Sequence, residues 1–255
     1  MKKLIYVEFL GLPGAGKSTL LKSMGRLLTE KGFKVATMKD ISEKLKKFNI
    51  SEKYLYPVAH TLKDRKNWVI LFELSKLFLR FYLWGSRERR YCSEAIKMFF
   101  MEYDRKLILE KNNYDFFIFE GQFSFLSMLE FGHFKPQMLN QFLKNLIKND
   151  VIRLSVFINT PIEVAIDRAR KDYQRESWIR KEFFALNEKK VYKYYHRMDK
   201  NIKIFTELLK EWGDSILFIE VDGLKSCDEN AKVISQLLEY RYNVKYKYIH
   251  TYGYE

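Results

Sequence analysis

Apolar positions along the chain follow two periods. Near-continuous apolar runs of strand length recur at 4–9, 33–38, 114–119, 152–158 and 216–221. Their lack of polar alternation predicts strands buried on both faces, as in a parallel sheet. Helical spacing fills the intervals. It predicts helices over 18–31, a long double helix across 66–111, and a helix over 123–149 broken at Gly132 and Pro136, then helices over 162–171, 180–212 and 231–240. Alternating strand and helix predicts an α/β fold, doubly wound, with a mainly parallel five-stranded sheet carrying helices on both faces.

The 255 residues contain no internal repeat, no low-complexity tract and no Pro/Gly/Ser linker, so a single domain over 1–255 is expected. An apolar content of 47% excludes disorder as the main state. The opening 1–7 imitates a signal segment, but Glu8 interrupts it and no small-residue cleavage site precedes the Gly-rich stretch that follows. It reads as a buried strand. The stretch 68–84 contains Glu73, Lys76 and Arg80 and is too short and too charged to span a bilayer, so no membrane anchor is expected. Cys92 and Cys227 lack disulfide or zinc spacing, which fits a reducing cytoplasm. In the tail 241–255, tyrosines at or near alternate positions (Tyr242, Tyr246, Tyr248, Tyr252, Tyr254) suggest an added edge strand or a partner-contacting arm.

One motif carries chemistry. Gly11-Leu12-Pro13-Gly14-Ala15-Gly16-Lys17-Ser18 satisfies G-x-x-x-x-G-K-[ST], preceded by a predicted strand and followed from Thr19 by an amphipathic helix. Glycines let successive backbone N–H groups converge on phosphate oxygens, and the helix start adds its positive dipole end. Lys17 would neutralise the β- and γ-phosphates, and Ser18 would place its hydroxyl on Mg²⁺. A turn that merely joined strand to helix would not need Lys and Ser at those two positions.

From Gly11 to Leu20 the chain resembles the P-loop of the nucleoside and nucleoside-monophosphate kinases, particularly the thymidylate kinase and deoxynucleoside kinase group. Further likenesses follow in the family's order: Glu120-Gly121-Gln122 after the third strand, the stretch 157–168 leading into a lid, and Phe218-Ile219-Glu220-Val221-Asp222-Gly223 at the last strand. The resemblance implies a P-loop kinase fold with a helical lid at about 168–185. It implies ATP as donor, Mg²⁺ as cofactor, and a nucleoside or nucleotide as the small-molecule acceptor, and it leaves a homodimer open. Gly11, Pro13, Gly14, Ala15, Gly16, Lys17, Ser18, Thr19, Arg170, Asp222 and Gly223 would hold the nucleotide, with Ser18 and Glu120 at the metal. The catalytic set would be Lys17, Asp40, Glu120, Arg168 and Arg175. Gly121 departs from the family, which carries an arginine there.

Each candidate has a plainer reading beside it. Glu120 ends a strand expected beside the P-loop strand, where ligands bind, yet a strand-end carboxylate can also cap a helix. Asp40 could orient the acceptor or serve as a helix N-cap. From Arg168 to Lys203 stand twelve Lys/Arg against five Asp/Glu, which suits a phosphate-facing lid or a solvated helix face. Trp68, Phe72, Phe78, Phe81, Tyr82 and Trp84 fall at helical spacing and read mainly as core. The four histidines do not cluster. A net charge of +14 keeps a second class open, a nucleotide-driven ATPase or binding module acting on nucleic acid, although no interleaved basic and aromatic stripe supports it.

Overall fold

A computed structural model describes residues 4–45, 68, 72, 108–109, 111–121, 152–176, 187–211 and 216–251. Its strands are β1 (Ile5–Leu10), β2 (Val35–Thr37), β3 (Phe116–Glu120), β4 (Ile152–Asn159) and β5 (Ile216–Asp222). All pair in parallel in the order β2-β3-β1-β4-β5, so the expected five-stranded parallel sheet is present with β1 at its centre. Ile5 faces Phe116 on one side and Ile152 on the other.

The described helices are α1 (Lys17–Glu30), α2 (Met38–Leu45), α3 (Ile162–Glu176), α4 (Glu188–Lys210) and α5 (Cys227–Thr251). Strand alternation divides β1 between two cores. Ile5, Val7 and Phe9 join Leu20, Met24 and Leu28 of α1 and Ala231, Ile234 and Leu238 of α5, while Leu4 and Tyr6 join Ala36, Ile41, Ile108, Leu109, Phe117 and Phe119 on the opposite face. Helices therefore cover both faces. The second core is aromatic: Phe117 stacks on Phe119 at 4.8 Å between ring centroids, and Tyr6 meets Phe117 edge-on at 5.2 Å.

Local chemistry moves several element boundaries. The predicted strand 33–38 shrinks to Val35–Thr37 because its flanks are claimed by helices. At one end Phe33 N donates to Leu28 O and Gly32 N to Thr29 O, closing α1 in a Schellman motif. At the other, Thr37 starts α2, a helix the apolar pattern did not predict, and its backbone N–H and hydroxyl both donate to Asp40. Asp40, at the third helical position, thus supplies the carboxylate half of a capping box. The helix predicted over 162–171 runs on to Glu176, since nothing between 171 and 176 breaks it. α5 begins four residues before the predicted 231 and continues to Thr251. The tail up to 251 is therefore helix and not an edge strand: no proline or glycine interrupts 224–252, and the sheet edges remain β2 and β5. Most of the predicted helices over 66–111 and 123–149 lies outside the described residues, as do Phe78, Phe81, Tyr82 and Trp84. Among the described residues, no helix is long and apolar enough to cross a membrane.

Candidate nucleotide-binding site

The site grows from the carboxyl end of β1, where open parallel sheets offer their binding crevice. Gly11–Gly16 turns the chain from strand to helix. Gly16 sits at the N-cap of α1 with φ +93° and no side chain caps the helix, so the positive end of the helix faces the loop uncovered by protein side chains. Gly14, at φ +81°, is pressed against α3. A Cβ there would stand 2.0 Å from Ala165 O, so only hydrogen fits. The loop conformation and the docking of α3 thus depend on one missing methyl.

Lys17 opens α1 and folds back over the loop. It is buried, and Nζ donates to Gly11 O at 2.9 Å and to Leu12 O at 2.8 Å. The ammonium is thereby held against the loop, and those two carbonyls keep the loop wrapped around it. Ser18, one residue on, donates its hydroxyl hydrogen bond to the Glu120 carboxylate at the end of β3. Two hard oxygen donors from different elements therefore meet at the carboxyl edge, a donor set that fits Mg²⁺ completed by phosphate and water oxygens. Among the described residues no group of three or more His, Cys, Asp or Glu is placed to hold a metal by itself.

Beside the loop lies a cavity of about 580 Å³, bounded by Gly14, Ala15 and Gly16 on one side and by the β5–α5 connection on the other. That connection is pinned by four hydrogen bonds: Gly223 N to Asn159 O, Leu224 N to the Asp222 carboxylate, Asn230 Nδ2 to Asp222 O, and Arg168 Nη1 to Gly223 O, each at 2.8 Å. Gly223 is another enforced glycine, because a Cβ would fall 1.9 Å from Thr160 Oγ1. Ser226 and Glu229 complete a reciprocal capping box at the start of α5, and the hydrogen bonds from Ser226 hold the Glu229 carboxyl below its ordinary pKa. Cys227 lines the cavity; burial pushes its thiol pKa up, while the Arg168 charge pulls it down.

The residues singled out by sequence separate into groups. Gly14, Ala15, Gly16, Thr19, Arg168 and Gly223 line the cavity. Lys17, Ser18 and Glu120 stand beside it through the bonds above. Asp222 turns its carboxylate to Leu224 N. Arg170 points away from the cavity to Glu188, at 3.1 Å, and ties α3 to α4. Asp40 is engaged in capping α2. The side chain of Arg175 lies outside the described residues. Asn230 and Cys227 escaped sequence reasoning, since neither belongs to a spaced motif. Their signal lay in Ser226-x-x-Glu229, which marks a helix start immediately after the last strand.

No family model and no curated protein matches the chain. Among solved structures, the chain is similar to deoxyadenosine kinase from M. mycoides with bound dATP, at TM-score 0.44 and 15% identity over 91% of this chain and 98% of that one. It is also similar to the same kinase with products dCMP and dCDP bound (TM-score 0.42, 16% identity, 92% and 98%) and with bound dCTP (TM-score 0.41, 15% identity, 92% and 98%).

Proposed function

We propose that this protein is a phosphotransferase that uses ATP and Mg²⁺ to phosphorylate a small acceptor, a nucleoside or nucleoside monophosphate. The observation that carries this reading is the Lys17 ammonium held inside the Gly11–Gly16 loop beside the Ser18–Glu120 pair, all at the carboxyl edge of a parallel sheet next to a nucleotide-sized cavity. The cavity would take the base and ribose of ATP, and the loop amides would cradle its phosphates. Bound Mg²⁺ would supply charge neutralisation and alignment of the β- and γ-phosphates. Ser18 and Glu120 would hold that ion, and Lys17 would stabilise the charge that builds on the oxygens of the transferring group. An acceptor oxygen forms its bond to the γ-phosphorus as the bond to the β–γ bridging oxygen breaks, whose electron pair leaves with ADP; the acceptor's proton is released. Of the lid arginines, Arg168 lines the cavity, and we take it as the one that reaches the phosphates, by exchanging Gly223 O for phosphate oxygen.

The test is a screen of nucleosides, nucleotides and sugars for acceptor-dependent ATP consumption, with DNA and RNA as parallel additions. Stimulation by one class of small acceptor, with a phosphorylated product, is the expected result. Stimulation by nucleic acid alone would overturn the kinase reading in favour of a nucleic-acid-dependent ATPase.

A further inference from the structure

The two sides of α4 differ in chemistry. Val191, Tyr195, Met198, Ile202, Phe205 and Leu209 pack into the core and fix the helix on the domain. Directly opposite them runs a row of exposed basic residues: Lys189, Lys193, His196, Arg197, Lys200 and Lys203. Their spacing keeps all six on one helix face, and from Lys189 to Lys203 the row is about 21 Å long at 1.5 Å of rise per residue.

This face holds its charge against electrostatic resistance. Lys203 pairs with Asp199 at 2.7 Å, but among the described residues no carboxylate lies within ion-pair distance of Lys189, Lys193 or Lys200. The acids at the two ends of the helix are engaged by other cations, Glu188 by Arg170 and Glu207 by Lys210. Lys189 and its neighbour Lys190 stand in the first turn, at the positive end of the helix dipole, where positive charge is disfavoured. Lys189 and Lys193, four residues apart, repel each other across one turn. A bound anion relieves all of these costs. That anion is not the proposed nucleotide, because α4 contributes no residue to the cavity beside the P-loop.

Shape selects the occupant. A straight row of cations matches a linear polyanion, and a nucleic-acid duplex, with one charge per roughly 1.7 Å of axis, sets about a dozen phosphates along such a row. A helix that lies on a lipid surface buries its apolar face there, whereas the apolar face of α4 is already buried in the core. Tyr192 and Tyr194, at the margins of the row, pack against the core and offer no ring to an unstacked base.

We infer that the outer face of α4 docks the phosphate backbone of nucleic acid, duplex in preference to single strand, through contacts that read no base sequence. This goes beyond the kinase reading and requires no ATP.

The test is binding of the full chain, without ATP and across a salt series, to labelled DNA and RNA duplexes of mixed sequence, to their single strands, and to phosphatidylserine vesicles. The duplexes should bind, with affinity falling steeply as salt rises, and the DNA and RNA arms identify the source of the backbone. Changing Lys189, Lys193 and Lys200 together to Gln should weaken duplex binding at least about tenfold and reduce the salt slope by about 0.9 per lysine removed. Changing Lys22, Lys39 and Lys232, three lysines exposed elsewhere, to Gln removes the same charge and should leave affinity within about twofold of wild type. Wild-type melting temperatures show that both variants fold, and Lys193→Gln alone carries the test through its smaller slope change if the first does not. No duplex binding at low salt, equal weakening by the two triple variants, or tighter binding to single strands or vesicles overturns the inference. Acceptor-dependent ATP consumption is measured separately, so a failure here is distinguishable from a failure of the kinase reading.

Discussion

Lys17 shows how one side chain can be structural and chemical together. Its two bonds to loop carbonyls exist without ligand, so the ammonium is already in place when phosphate arrives and little ordering remains to be done. Lys17→Ala should abolish detectable phosphotransfer at saturating ATP. It should also loosen the loop, read as lost affinity for an ATP analogue by calorimetry, and near-wild-type turnover would refute the site. Glu120→Gln keeps volume and removes charge. A fall in kcat of about 10²-fold is expected, because charge aimed at a phosphoryl centre acts mostly in the transition state. An unchanged kcat across a Mg²⁺ titration would make Glu120 a mere partner of Ser18.

Among the elements, the start of α5 titrates. Hydrogen bonds from Ser226 depress the Glu229 carboxyl, so between its folded and unfolded pKa the unfolded chain binds the extra proton. The cap's contribution is therefore full above the ordinary carboxylate pKa and is lost as pH falls through the depressed folded value. Glu229→Gln should flatten this acid limb when melting temperature is followed from about pH 7 to about pH 3, and Ser226→Ala should cost about 1 kcal/mol at neutral pH. Packing sets the other large term. Phe117→Ala would open the stack with Phe119 and Tyr6 and should cost about 3–5 kcal/mol in denaturant unfolding. All five strands were legible as apolar runs: burial on both faces leaves Phe116-Phe117-Ile118-Phe119 of β3 with no polar interruption, and even the half-buried edge strands β2 and β5 keep mostly apolar positions. The P-loop was legible because its chemistry fixes residue types at fixed spacing. α2 was not, since its eight residues hold too few apolar positions to register as a period and its origin is a capping interaction between Thr37 and Asp40. The tail misled because its near-alternating tyrosines imitate a strand, while the absence of breakers lets α5 continue.

At the scale of the molecule, the carboxyl edges of β1, β4 and β5 are joined through close backbone approaches at Gly14 and Gly223, so ligand binding should be felt by several elements at once. Hydrogen exchange with an ATP analogue should add protection over 11–19 and 222–230, and along 162–176 if Arg168 engages phosphate. Equal protection of 162–176 in both samples would leave Arg168 as a fixed strut of the Gly223 turn. At one hundred times its dissociation constant the analogue should stabilise the fold by about 2.7 kcal/mol, read as a rise in melting temperature. The sheet order has a further consequence, for how the chain is made. Of the five described strands β1 leaves the ribosome before the others, yet its neighbours are β3, beginning at Phe116, and β4, beginning at Ile152. This buried strand must wait, unpaired on both edges, until the residues of β3 and β4, up to Asn159, have been synthesised. Such long-range closure folds slowly and exposes sticky edges meanwhile. Nascent chains stopped before about residue 160 should therefore stay protease-sensitive and depend on chaperones, whereas chains released after β5 should become resistant together with the acquisition of nucleotide binding.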